Sequence, residues 1–285
     1  MKGGDKIKNL FLATRIERSF PLISLVIFSC AFMGKINKEI YLLSICLVLL
    51  YSAGGILNAL KDKDYELPKY TKGILFIFLI IVLFISTKSQ KILLASIAWV
   101  VIGITYNLFS RKILLADTTL MGITHYFIPM FFSLLILGEK INISFEISTI
   151  IYLTYWLIIP LKNLNDMKKD KNLGYITLPT VSKHGSKITI LLYYLSFILI
   201  ISLYKFLQLN KLYLIMLIPL GIMYLITGKL LSFKNKAYSI PITRLTMVIF
   251  TTALTIGSTL NKNFIMSQIL FVIFFTLAFI KKYSK

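Results

Sequence analysis

Apolar residues in this chain are gathered into long blocks separated by short charged segments. The blocks run roughly over 20–36, 39–60, 73–88, 91–109, 117–138 and 144–162, and four more follow near 187–208, 211–233, 240–260 and 264–281. Several approach the ~20 residues a helix needs to cross the hydrocarbon of a bilayer. The pattern predicts an all-α polytopic membrane bundle of nine or ten transmembrane helices, since some runs are short. The first block begins only after a charged segment of 18 residues and carries no small-residue cleavage site, so it reads as a span and not as a removable signal peptide. No linker is long enough to divide the chain, and residues 1–285 read as a single domain. The longest polar segment, about 162–187, lies between the sixth and seventh blocks.

Composition supports the same class. Hydrophobic residues make up 57% of the chain and charged residues 15%, with a mean hydropathy of +0.81. The formal net charge is +21, which in a soluble protein would raise nucleic acid as a partner. If the N-terminus is cytoplasmic and ten spans alternate, cytoplasmic segments hold 24 of the 32 Lys and Arg. Topology and contact with anionic membrane lipids therefore account for the charge, and no soluble basic domain remains to grip a duplex. The expected location is an integral, multi-pass cell membrane protein. Cys30 and Cys46 both fall inside expected spans and read as packing residues.

Acidic residues are few, and five of the 11 fall in two short stretches that end even-numbered apolar blocks. The first runs from Asn58 through Asp62 and Asp64 to Glu66, the second from Asn163 through Asp166 to Asp170. Asn58, Asp62 and Glu66 are spaced by four, and Asn163, Asp166 and Asp170 by three and four, so each set shares one face of a helix. One such stretch alone would read as an ordinary juxtamembrane cap. Two on the same expected membrane face, both cytoplasmic, imply more, because ionisable groups near a span cost ~2.5–3.5 kcal/mol on insertion scales. Clustered carboxylates repel one another, and hard divalent cations would relieve that repulsion while holding a diphosphate. Magnesium suits such a site, because it needs few carboxylates and completes its shell with water and phosphate oxygens. Lys63, Lys69, Lys72, Lys162, Lys168, Lys169 and Lys171 flank the stretches and could also meet a diphosphate.

Other residues carry weaker signals. His125, inside the fifth block, reads first as a hydrogen-bonded bundle histidine, with a general base for a phenolic acceptor as the alternative. His184 sits in a loop and reads as solvated. The 21 Phe and 16 Tyr could face a carbocation, although membrane packing explains most of them. Arg15 and Arg18 precede the first block as expected cytoplasmic anchors, and one of them could reach an acceptor carboxylate.

The paired stretches resemble the two aspartate-rich motifs of the UbiA superfamily of intramembrane prenyltransferases. The first family motif, Asn-Asp-x-x-Asp-x-x-x-Asp, reads here Asn58-Ala59-x-x-Asp62-x-x-x-Glu66. The second, Asp-x-x-Asp-x-x-x-Asp, reads Asn163-x-x-Asp166-x-x-x-Asp170, followed by Lys171, Gly174 and Thr177-Leu178-Pro179. Between them lies Tyr106 with Arg111 and Lys112, and Asp117 just beyond.

The resemblance implies a helical bundle around a lipid-open central cavity with the two motifs facing each other at its cytoplasmic end. Magnesium would be held by Asp62, Glu66, Asp166 and Asp170. The diphosphate of a polyprenyl diphosphate donor would be met by Asn58, Asn163, Arg111, Lys112 and Lys171. Asp62, Asp166 and Tyr106 would carry the catalysis, although Tyr106 taken alone reads as an interfacial anchor. The acceptor would be hydrophobic or aromatic, either a quinone precursor or a polar lipid. The chain departs from the motifs at Ala59, Glu66 and Asn163, and the loop after Glu66 is short. Two rivals stay open: a terpene cyclase on the same scaffold, and a transporter or lipid-binding membrane protein, for which carboxylates near the bilayer midplane would be expected.

Overall fold

A computed structural model describes residues 3–16, 19–62, 66–232 and 239–283. The described residues form helices joined by short loops: α1 (Gly3–Thr14), α2 (Phe20–Met33), α3 (Lys38–Asp62), α4 (Thr71–Ser86), α5 (Gln90–Phe109), α6 (Ala116–Gly122), α7 (Ile128–Ile136), α8 (Ile141–Ile158), α9 (Asn163–Asn172), α10 (Leu178–Val181), α11 (Gly185–Phe206), α12 (Lys211–Ser232), α13 (Ser239–Ser258) and α14 (Lys262–Tyr283). Six helical segments are long and apolar enough to cross a membrane by length and composition, at 38–61, 90–109, 116–136, 141–172, 185–206 and 239–258. The apolar parts of α2, α4, α12 and α14 are shorter. The protein is an integral membrane helical bundle, and each expected apolar block is helical with ends displaced by a few residues.

Three departures from the sequence pattern shape the cavity. The charged segment before the first block is itself helical, as α1. The fifth block is one rod of α6 and α7 joined by a π-helical turn, Ile123–Phe127. Pro129 explains the turn: it lacks an N–H for the carbonyl of His125, so the helix widens just before it, and the Ile128 N–H bonds to Ile123, five residues back. The sixth block does not stop at the membrane rim. Pro160 lies in a 3₁₀ turn, Ile159–Lys162, and the chain continues directly into α9, which carries the second acidic motif.

Two apolar cores flank the bundle centre. One joins α2, α7, α8, α11, α12 and α13 around Tyr155, Tyr193, Tyr213 and Phe250. The other joins α2, α3, α5 and α7 around Leu43, Leu47 and Ile92. Polar side chains tie the helices together, as expected where lipid supplies no hydrophobic drive between them. The Tyr193 hydroxyl lies 2.9 Å from that of Thr246, and the Gln268 amide on α14 donates to Ser24 at 2.8 Å and Thr252 at 3.1 Å.

The end of α1 lies directly on α3. A Cβ at Gly55 would sit 2.6 Å from the Ala13 carbonyl oxygen and 2.8 Å from that of Thr14, whereas one at Gly73 would meet nothing within 4 Å. Gly55→Ala is expected to destabilise the protein by about 1–3 kcal/mol through overpacking against backbone. Gly73→Ala, at the start of α4, is expected to be neutral or slightly stabilising. Thermal unfolding in detergent compares the two.

Candidate active site

One cavity of about 660 Å³ lies between the two cores. Side chains spaced by three and four residues on α3, α5 and α13 line it, including Leu50, Ala53, Gly54, Leu57 and Asn58 on α3 and Ile240, Thr243, Arg244 and Met247 on α13. The ends of α3 and α5 lie together, because the Lys61 ammonium donates to the Asn107 carbonyl at 3.1 Å. Polarity grades along both helices. Asn58, Tyr106, Asn107, Ser110 and Arg111 sit towards that end, while Leu50, Trp99 and Val100 lie deeper. The eight residues between Leu50 and Asn58 correspond to about 12 Å of helix.

Helix α9 closes the polar end. Asn163, Asp166 and Asp170 all line the cavity from its inner face. Its start is anchored by a buried hydrogen bond: the Asn163 amide donates to the Asp117 carboxylate at 2.8 Å, and Thr118 donates to the other oxygen at 3.2 Å. Its end is set by Gly174 in the left-handed conformation (φ 67°) and by the Tyr175 N–H, which bonds back to the Asp170 carbonyl at 2.9 Å. The Arg111 guanidinium stacks over the Tyr175 ring, 4.6 Å from its centre, and donates to its hydroxyl at 3.0 Å. The Ile176 N–H then donates to the Arg111 carbonyl at 3.1 Å.

The apolar residues of 141–162 already provide about 33 Å of helical length, so the polar α9 lies beyond the membrane-spanning part. There, burial first and the neighbouring Asp166 charge second push the Asp170 carboxyl above its usual range, and Arg111 opposes the shift. This is the mark of a crowded anionic face that a cation would relieve.

The cavity thus gathers Asn58, Tyr106, Arg111, Asn163, Asp166 and Asp170. Other expected residues stand apart. Lys112 and Lys171 are exposed and do not line the cavity. Helix α3 is described to Asp62 and Glu66 is not helical, so Glu66 does not share a helical face with Asn58. The backbone carbonyl of Glu66 accepts from Asn9 of α1 at 3.3 Å. The side chain of Asp62, and the whole of Lys63, Asp64 and Arg18, lie outside the described residues.

Several cavity residues were not picked out as site residues from sequence. They are Tyr51, Asn107, Tyr175 and Arg244; Arg15 and Lys162, raised from sequence as possible ligand contacts, also line the cavity. Arg244 had a legible signal, since it is a charge inside an apolar helical run.

The donor set at the polar end is entirely hard oxygen, from the carboxylates of Asp166 and Asp170 and the amides of Asn58 and Asn163. Among the described residues no three His, Cys, Asp or Glu side chains lie close enough to form a metal site by themselves. The set therefore fits an ion that takes few protein ligands and leaves the rest to water and a phosphate, as magnesium does.

The chain matches the UbiA prenyltransferase family over residues 70–242, a stretch that holds Tyr106, Arg111, Asp117 and the second acidic motif. It belongs to the UbiA prenyltransferase family. Two solved structures share the fold. One is of a digeranylgeranylglyceryl phosphate synthase in membranes, 19% identical, with a TM-score of 0.66, covering 89% of this chain and 98% of its own. The other is the apo structure of a UbiA homologue from Aeropyrum pernix K1, 12% identical, with a TM-score of 0.67, covering 84% and 97% respectively. No match was found among curated proteins. Within the matched stretch the Asn163 amide donates to buried Asp117.

That bond generates a prediction. Asn163→Asp would set two carboxylates against each other and is expected to cost about 1–3 kcal/mol of stability. Adding Asp117→Asn should restore most of the loss, which thermal unfolding of the single and double variants measures.

Proposed function

We propose that this protein is a magnesium-dependent membrane prenyltransferase that moves a polyprenyl group from its diphosphate to an aromatic quinone precursor or a lipid acceptor. The observation that carries this reading is the single cavity in which the acidic face of α9 and the residues Asn58, Tyr106 and Arg111 share a polar mouth that continues into apolar depth. The diphosphate would lie at the mouth, between Arg111 and the oxygen ligands of α9. Asp166 and Asp170, joined by Asp62, would hold the ions, and Glu66 would join them only if its loop moves inward. Bound magnesium would neutralise the charge that builds on the departing diphosphate.

The chain's own residues would do the rest. Arg111, held on Tyr175, would meet the leaving diphosphate with a planar, charge-assisted contact. Tyr106 would stand beside the breaking allylic C–O bond. Leu50, Val100 and Trp99 would receive the prenyl tail and keep water from the allylic cation. Four cationic side chains, Arg15, Arg111, Lys162 and Arg244, line the cavity against three described carboxylates, a balance that suits an anionic ligand. Lys112 and Lys171 would act at longer range. The fold shared with a digeranylgeranylglyceryl phosphate synthase keeps a polar lipid acceptor in view beside the aromatic one. The bias of Lys and Arg supports a cytoplasmic position for the mouth.

Diphosphate release from purified protein with geranyl, farnesyl and geranylgeranyl diphosphate tests the reading. Release is expected only with magnesium, and Asp62→Ala/Asp166→Ala should lose about 100-fold or more. Organic extraction would expose a cyclase by its hydrocarbon product. If none of the three donors binds or reacts in the presence of magnesium, the prenyl diphosphate assignment is wrong and a transporter becomes the better account.

A further inference from the structure

His125 lines the cavity from within the π turn. Its ring is oriented by two contacts at Nδ1, 3.0 Å from the Met121 carbonyl and 2.8 Å from the Thr124 hydroxyl. The Thr124 hydroxyl has one hydrogen, and it is directed at the carbonyls of Leu120 at 3.0 Å and Met121 at 3.1 Å. The Met121 carbonyl can only accept, so its contact is a hydrogen bond when Nδ1 carries the imidazole hydrogen, the tautomer that leaves Nε2 with a bare lone pair. Among the described residues Nε2 has no hydrogen-bond partner, and His125 is part of the cavity wall. The Tyr51 ring stands edge-on to the imidazole at 5.1 Å and also lines the cavity, giving a slot with an aromatic wall and a proton acceptor. Helical π turns of this kind concentrate at functional positions.

We propose that His125 is the general base of the transfer step, its Nε2 taking the proton from the acceptor's hydroxyl group. This deepens the prenyltransferase reading and rests on it. As the bond from the prenyl C1 to the acceptor forms, the C–O bond to the diphosphate breaks with its electron pair leaving on the diphosphate. The acceptor's proton passes to Nε2, giving an imidazolium whose Nδ1–H still points at Met121. A phenol and a glycerol-type alcohol offer the same O–H, and the assay separates them.

Two measurements test the assignment on the full-length protein. With ¹⁵N-labelled histidine only two imidazoles report, and His184→Asn removes one of them. The His125 signal is expected to show a protonated Nδ1 and a bare Nε2; the opposite tautomer would overturn the assignment without any substrate. The second is transfer from geranylgeranyl diphosphate to 4-hydroxybenzoate or to a prenylglyceryl phosphate. His125→Asn keeps a donor near the Nδ1 position and nothing at Nε2, so transfer should fall by about 100-fold or more with donor binding unchanged. Transfer within threefold of the parent protein, or loss of donor binding in the variant, would sink the base. A parent protein that binds the donor but alkylates neither hydroxyl compound would refute the acceptor class alone, and one that binds no donor would instead refute the prenyltransferase reading.

Discussion

The polar end of the cavity depends on one buried hydrogen bond, from the Asn163 amide to the Asp117 carboxylate. Helix α9 is polar and has little apolar surface to hold it to the bundle; without an anchor at its first residue its acidic face could turn to water. Asp117 is 7% exposed, a costly place for a carboxylate unless its oxygens are satisfied. Asn163 takes one oxygen and Thr118 the other. Leu115, in the left-handed conformation at φ 64°, turns the chain so that α6 begins with Asp117 in place. The start of α9 is thereby tied to the α5–α6 junction, and the Arg111–Tyr175 contact ties its end to the same junction.

Much of this was legible in the sequence, for a physical reason. A bilayer demands helices of a given length with few charges, so apolar blocks translate almost directly into elements. The acidic spacing of Asn163, Asp166 and Asp170 was equally direct, because α9 is a regular helix and its face follows from its period. The same argument failed at Glu66, which is not helical, so the four-residue spacing from Asn58 and Asp62 loses its meaning there. Arg244 falls inside the apolar block 240–260 but was not singled out as a site residue; α13 starts at Ser239 and carries it onto the cavity wall. Lys112 and Lys171 sit beside Arg111 and Asp170 in sequence, yet Lys112 lies in the turn after α5 and Lys171 at the next position along α9, and both side chains are exposed outside the cavity. What sequence could not supply is which of several cations shares a cavity, since that depends on how helices far apart in the chain pack.

Two prolines show how the fold reconciles a membrane environment with a polar site. In hydrocarbon every backbone group needs an internal partner, so irregular backbone is tolerated only where it is buried in protein or borders a polar cavity. Pro129 widens the helix into the π turn of Ile123–Phe127, and Pro160 lies where α8 tightens into the 3₁₀ turn of Ile159–Lys162. Both could have been read from sequence, as a proline four residues after a histidine and another three residues before an asparagine. Each irregular turn delivers polar residues to the same cavity: Thr124 and His125 from the first, Lys162 and Asn163 from the second. A regular helix through either stretch would present its apolar neighbours at these positions instead. The two irregular turns thus both border the cavity, one inside the span 116–136 and the other where the apolar part of the sixth block gives way to α9, so the departures from regular helix fall where polar side chains are needed.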